Sequence, residues 1–163
     1  MTKLILLDRD GVINYDSDDF IKSPDEWRAI PGSLEAIALL NKAGIKVAVA
    51  SNQSGLARGY FTEETLQKIH EKMLNELKQH NGHIDKIFYC PHGPHDHCNC
   101  RKPKPGMLFQ AFQHFNITPE EAYFVGDSQR DIDAANAAGC HSERITEHHT
   151  LLQFVKTLLG RNS

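Results

Sequence analysis

Leu4-Ile5-Leu6-Leu7-Asp8-Arg9-Asp10-Gly11-Val12 is the stretch on which the fold turns. Its four apolar residues have the length of a short buried strand, and they give way at once to two carboxylates two positions apart. The chain therefore leaves the interior at Asp8 and enters a loop. Gly11 permits the unusual dihedrals or close backbone approach that a tight loop needs. Three later apolar runs read the same way: Val47 to Ala50, Ile87 to Tyr89 and Ala122 to Val125.

Helical patterns fall between these runs. The first begins near Ser33 after Pro31-Gly32, buries Leu34, Ile37 and Leu40, and stops at Gly44, a C-terminal cap. The second runs from about Thr62 toward His80, with Leu66, Ile69, Met73, Leu74 and Leu77 as its core stripe and Glu63 and Glu64 in the first turn. Shorter helices are expected from about Pro105 to Phe115, Arg130 to Ala138 and Thr150 to Leu159. Strands alternating with helices imply an α/β fold with a doubly wound parallel sheet. Asp8, Ser51 and Asp127 then sit at strand ends on one edge of the sheet, where such folds bind ligands.

No interval between these elements has room for a cap domain, so residues 1–163 are expected to form a single domain with an open site. A chain of 163 residues sustains one hydrophobic core, and 40% apolar with 24% charged residues is ordinary for a self-folding protein. The net charge of −3, with histidines neutral, gives no general pull toward nucleic acid or anionic lipid. The N-terminal apolar run is too short for a signal peptide, and no run reaches membrane length. A cytoplasmic monomer without nucleic-acid or membrane partners is expected.

Two kinds of metal chemistry are written into the polar residues. Asp8 and Asp10 on one loop, with Asp127 in Val125-Gly126-Asp127-Ser128 on another, offer the hard oxygen ligands that suit magnesium. Cys90-Pro91-His92 and Cys98-Asn99-Cys100 offer two pairs of softer ligands across a short loop, a set suited to closed, tetrahedral, structural zinc. His92 mirrors the spacing of the second pair, while His95 and His97 are alternative fourth ligands. The clip leads straight into Arg101 and Lys102, so ordering it places basic residues near the acidic edge. Cys140 stands apart and reads as core.

With Ser51 in Ser51-Asn52-Gln53-Ser54-Gly55 and Lys102 in Arg101-Lys102-Pro103, these segments make four ordered motifs spread along nearly the whole chain. The sequence thereby resembles the haloacid dehalogenase superfamily of phosphohydrolases. The resemblance implies that Asp8 attacks phosphorus, that Asp10 serves as acid and base while binding magnesium through its backbone carbonyl, and that Ser51 and Lys102 hold the transferring phosphoryl group. A carboxylate attacking an anionic phosphate meets like-charge repulsion, which the cation and the lysine offset. Lys104 competes for the role of Lys102, and Asp131 reads as a helix cap or outer-shell residue.

Within the superfamily, the segment through Gly59 and Cys100-Arg101-Lys102-Pro103-Lys104-Pro105-Gly106-Met107 are similar to those of heptose bisphosphate phosphatases. The short interval from His92 to Cys98 is closer to the histidinol-phosphate phosphatases. A small phosphorylated sugar is the expected substrate, held by short loops: Asp16 to Asp19, Asn52, Gln53, Ser54, Arg101 and Ser128. A polynucleotide 3′-phosphatase would share the motifs, but no basic and aromatic track is present. A non-catalytic zinc module would leave Asp8, Asp10, Lys102 and Asp127 without a role.

Overall fold

A computed structural model describes residues 1–160. Five strands, β1 (Leu4–Leu7), β2 (Lys46–Asn52), β3 (Lys86–Cys90), β4 (Ala122–Gly126) and β5 (His141–Arg144), form one sheet in the order β3-β2-β1-β4-β5. Every pairing is parallel, with Leu6 of β1 in register with Ala48 on one side and Phe124 on the other. Helices α1 (Ser33–Lys42), α2 (Glu63–Gln79), α3 (Gly106–Phe115), α4 (Gln129–Ala138) and α5 (Leu151–Leu158) cover the two faces.

Strand geometry explains why β1 is apolar throughout. Successive side chains point to opposite faces, and both faces are packed. Ile5 and Leu7 join the core made with α1, α2 and α5, whereas Leu4 and Leu6 join the one made with α3 and α4. All four are fully buried, each contributing about 1.5–3 kcal/mol of transfer free energy. Cys140 lies in the second core, as its sequence setting implies.

The helices begin and end where their signals place them, within a residue or two. Thr62 caps α2 by accepting from the Thr65 amide at 3.1 Å, and Gly44 adopts a left-handed φ of 79° just beyond α1. One residue of the expected α2 stripe is misplaced: Leu74 is 37% exposed, and His70 is buried instead. The apolar face of α2 is centred on Leu66, Ile69, Met73 and Leu77, which turns the side chain after Met73 outward. The sheet also holds a strand the apolar pattern does not announce. His141-Ser142-Glu143-Arg144 is an edge strand with no fully buried residue, held by its ladder to β4 rather than by apolar burial.

The long connection from β1 to α1 folds back over the sheet edge. Trp27 is fully buried, and Lys72 of α2 donates to the carbonyls of Pro24 and Trp27 at 2.8 and 2.7 Å. That anchor leaves the Asp16–Phe20 segment free to form a wall beside the carboxyl ends of the strands.

Candidate active site

Lys102 is the hub of the site. Its ammonium lies 3.1 Å from Asp8 Oδ1 and 2.8 Å from Asp131 Oδ1, and donates to the Ala50 carbonyl at 3.0 Å. Asn52 puts it there, because its side-chain oxygen accepts from the Lys102 amide at 3.0 Å and its amide donates to the Lys102 carbonyl at 3.2 Å. The end of β2 is thus stitched to the segment leaving the cysteine loop. Burial works against the ammonium, but the Asp8 and Asp131 carboxylates outweigh it and hold its pKa above the usual value. Lys104 faces away and donates to the Cys98 carbonyl at 2.5 Å.

Asp8 sits at the tip of β1, 7% exposed, with Oδ1 accepting from the Arg9 amide at 2.8 Å. Burial pushes its pKa up to about 7, with Asp131 and Asp10 adding to the rise and Lys102 opposing it. A carboxylate held in that state gains by receiving a cation. Asp127, at the tip of β4, offers further ligand oxygens: one carboxylate oxygen each from Asp8, Asp127 and Asp131 lie within 4.8 Å of one another. Gly11 makes room for it. Its φ is 86°, and a Cβ there would overlap the Asp127 carboxylate. Asp131 is already employed, since Lys102 takes one oxygen and the Ser128 amide and hydroxyl donate to the other at 3.2 and 2.9 Å. The donor set of Asp8, Asp127 and the loop backbone fits a hard divalent cation.

Asp10 is caged by donors. Arg9 Nε and Asn14 Nδ2 reach Oδ1 at 2.8 and 2.9 Å, and Arg9 Nη2 and Gln53 Nε2 reach Oδ2 at 3.2 and 3.4 Å. Burial alone would raise its pKa, but the charge and donors of Arg9, helped by Asn14 and Gln53, bring it below the ordinary value. Behind the cage, Arg9 Nη1 lies 3.2 Å from His70 Nε2. Guanidinium can only donate, so His70 accepts at Nε2 and is neutral. Burial, with Arg9 adding to it, pushes the His70 pKa down to about 4 from 6.5.

That depression has a definite sign. Between about pH 4 and 6.5 the unfolded chain binds the proton and the folded one does not, so the contribution to stability is complete above 6.5 and is lost as pH falls toward 4. The loss amounts to about 3 kcal/mol. Melting temperature is expected to fall across that window, and His70→Gln, which keeps an acceptor without titrating, is expected to flatten the fall. Equal slopes in parent and variant would contradict the assignment.

The cavity above these groups has a volume of about 260 Å³. Asp16, Ser17, Asp18 and Phe20 line one side, Asn52, Gln53, Ser54 and Arg58 another, and Arg101, Lys102, Asp127 and Arg130 complete it with Asp8 and Asp10. Most of the residues expected from sequence converge here, and three stand outside the lining. Asp19 is not part of the lining, and its backbone carbonyl accepts from Lys22; Ser128 is spent on capping α4; and Ser51, 1% exposed, lies beneath Gln53, whose Nε2 donates to its hydroxyl at 2.7 Å. Asp18 and Arg58 line the cavity from the Asp16 to Asp19 loop and the segment through Gly59, in which neither was given a role of its own. Arg130 lines it from outside any motif, because only the fold brings α4 to the same mouth.

A second cluster stands next to the first. The ligand atoms of Cys90, His92, Cys98 and Cys100 all lie within 4.8 Å of one another. Cys90 Sγ is 3.6 Å from Cys98 Sγ, and His92 Nδ1 is 3.5 and 3.4 Å from the sulfurs of Cys90 and Cys100. Tetrahedral zinc with ordinary bond lengths sets such edges at about 3.5–3.8 Å. The Cys90–Cys100 edge is shorter, the two sulfurs being in contact. His95 and His97 are exposed and outside the cluster. Arg101 Nη1 donates to the His92 carbonyl at 3.1 Å, so the clip and the cavity share a wall.

A parallel α/β sheet with an aspartate at the tip of its central strand, paired with a buried lysine, defines a class of phosphoryl-transfer enzyme, and comparison with known proteins agrees. The chain matches the model of the haloacid dehalogenase-like hydrolases over residues 4–139 and belongs to that family; it is a phosphatase. Its relatives are more particular. It is 45% identical over 181 aligned residues to D-glycero-beta-D-manno-heptose-1,7-bisphosphate 7-phosphatase of Neisseria meningitidis serogroup A, covering 99% of this chain and 97% of that one. It is 55% identical over 137 residues to the protein of the same name from Pseudomonas putida, covering 84% and 78%. The crystal structure of D,D-heptose 1,7-bisphosphate phosphatase from B. bronchiseptica, complexed with magnesium and phosphate, superimposes with a TM-score of 0.93 at 46% identity over 98% of this chain and 99% of that one.

Proposed function

We propose that this phosphatase removes the 7-phosphate of D-glycero-β-D-manno-heptose 1,7-bisphosphate in a magnesium-dependent reaction that passes through an aspartyl phosphate on Asp8. The observation that carries the reading is the near-complete match, in sequence and in fold, to enzymes of that name, by a chain whose own Asp8 is flanked by Lys102 and Asp127. An oxygen of Asp8 attacks phosphorus while Lys102 offsets charge on the transferring group. Asp10 protonates the leaving C7 oxygen, and its carboxylate then takes the proton from the water that attacks the aspartyl phosphate. The donor cage holds Asp10 in the second of these forms. Asp8, Asp127 and the Asp10 backbone carbonyl would hold magnesium, which supplies charge neutralisation between nucleophile and phosphate.

The cysteine cluster serves structure in this reading: four protein ligands leave zinc no open position, and the bound loop fixes Arg101 and Lys102. Protein prepared without chelators is expected to carry about one zinc per chain. Cys98→Ser is expected to lose the metal and to lower the melting temperature. A metal analysis finding no zinc would refute the clip. A cytoplasmic, monomeric enzyme that binds neither nucleic acid nor membrane completes the proposal; among the described residues no helix is long and apolar enough to cross a membrane.

The test is a comparison of kcat/KM for both anomers of heptose 1,7-bisphosphate and for histidinol phosphate, with magnesium. The β-bisphosphate is expected to be the best of the three. Preference for histidinol phosphate would end the heptose reading while leaving the phosphatase intact.

A further inference from the structure

We propose that Arg130, together with Arg58 and Arg101, forms a second anion site at the rim of the catalytic cavity, and that Arg130 is a specificity-determining residue for substrates bearing two phosphate groups. The proposal deepens the reading of the Asp8 site as a phosphomonoesterase and rests on it. Three separate segments supply the guanidiniums: the turn after β2, the exit of the cysteine loop and the first turn of α4. An isolated surface arginine is ordinary, but three converging on one 260 Å³ cavity are not.

Nothing in the fold accounts for their convergence. Among the described residues, none of the three lies within ion-pair distance of a carboxylate. Arg101 is held by its bond to the His92 carbonyl, and Arg58 by a 3.4 Å bond from Nε to Ser54 Oγ and by the Phe20 ring, 5.7 Å from its Cζ. Those contacts orient the two side chains and leave most of their N–H groups unused. Arg130 makes no side-chain hydrogen bond among the described residues, and as the second residue of α4 it sets a cation against the helix dipole. The three cations line one cavity and repel one another there.

An anion between them would relieve that repulsion, and a phosphate suits the planar guanidinium fork. Lys102 is committed to Asp8 and Asp131, so the transferring phosphate and the rim phosphate have separate cations. Asp16 and Asp18 line the same cavity and offer acceptors to hydroxyls of a sugar between the two. A substrate carrying an ammonium in place of the second phosphate would meet the guanidiniums unfavourably.

The experiment measures kcat and KM, with magnesium, for two pairs of esters: heptose 1,7-bisphosphate with heptose 7-phosphate, and fructose 1,6-bisphosphate with fructose 6-phosphate. Arg130→Gln is expected to lower kcat/KM for the bisphosphate of the pair that is turned over by roughly tenfold, mainly through KM. The loss on the matching monophosphate is expected to stay within about twofold, with Arg130→Lys between parent and Gln. A loss shared equally by both members, or no loss on either, would overturn the rim site. If the parent turns over the fructose pair and not the heptose pair, the heptose assignment falls, and the Arg130→Gln comparison on the fructose pair still decides the site.

Discussion

Asp8→Asn is expected to leave a folded protein that releases phosphate roughly 10⁴-fold more slowly than the parent, or not at all. The amide keeps the shape of the carboxylate but cannot attack phosphorus. The fold tolerates the change because Lys102 retains Asp131 at 2.8 Å, so no buried cation is stranded. Asp8 is itself a costly group, its pKa raised to about 7 chiefly by burial, and neutralising it removes that cost. Thermal melting is therefore expected to be unchanged or slightly raised while turnover collapses. Near-parental turnover in a verified sample would remove Asp8 as nucleophile.

Lys102→Met is expected to damage both properties. Methionine fills the volume, but its loss of charge leaves the buried carboxylates of Asp8 and Asp131 without their shared cation. Breaking a buried ion pair from one side costs about 3–5 kcal/mol, which in a chain of this size lowers the melting temperature by roughly 10 °C. Phosphate release is expected to fall for every phosphomonoester alike, because the group lost serves the phosphate they share. Lys104→Met is the matched control: it removes only a bond to the Cys98 carbonyl and is expected to stay within about 0.5 kcal/mol of the parent in stability. Equal effects of the two substitutions on turnover would erase the distinction drawn between the two lysines, and a larger effect of Lys104→Met would reverse it.

The contrast between these lysines shows what the sequence carries and what it does not. Apolar runs mark β1 through β4 because those strands are packed by helices, and the polar residues that end them mark the working edge of the sheet. Of the two edge strands, β3 still carries an apolar run, Ile87 to Tyr89, whereas β5 leaves no such mark: its ladder to β4 holds it while its side chains stay polar. Leu74 errs in the other direction: an apolar residue one step past Met73 joins the stripe by composition, but 100° of helical turn takes it to solvent.

At the site, residues with a chemical signature were legible and residues with only a place were not. Asp8, Asp10, Asp127 and the four zinc-type ligands stand in motifs whose residue types suit a metal, while Lys102 and the roles in phosphoryl transfer are marked by the resemblance to the family. Ser128 sits beside Asp127 in sequence, yet local capping geometry turns its hydroxyl to Asp131. Asp19 was grouped with its loop, where Asp16 and Asp18 reach the cavity and it does not. Arg130 lies one residue from Asp131 and is indistinguishable from a surface arginine until α4 is docked against β4 and β5.

Phosphorus NMR on heptose 1,7-bisphosphate tests the central claim most directly, because the two phosphates are chemically distinct and each can be followed as the other leaves. With magnesium, the C7 phosphomonoester signal is expected to give way to inorganic phosphate while the anomeric phosphate persists, and without magnesium neither is expected to change. Release of the anomeric phosphate first, or C7 release at the same rate after complete magnesium removal, would contradict it.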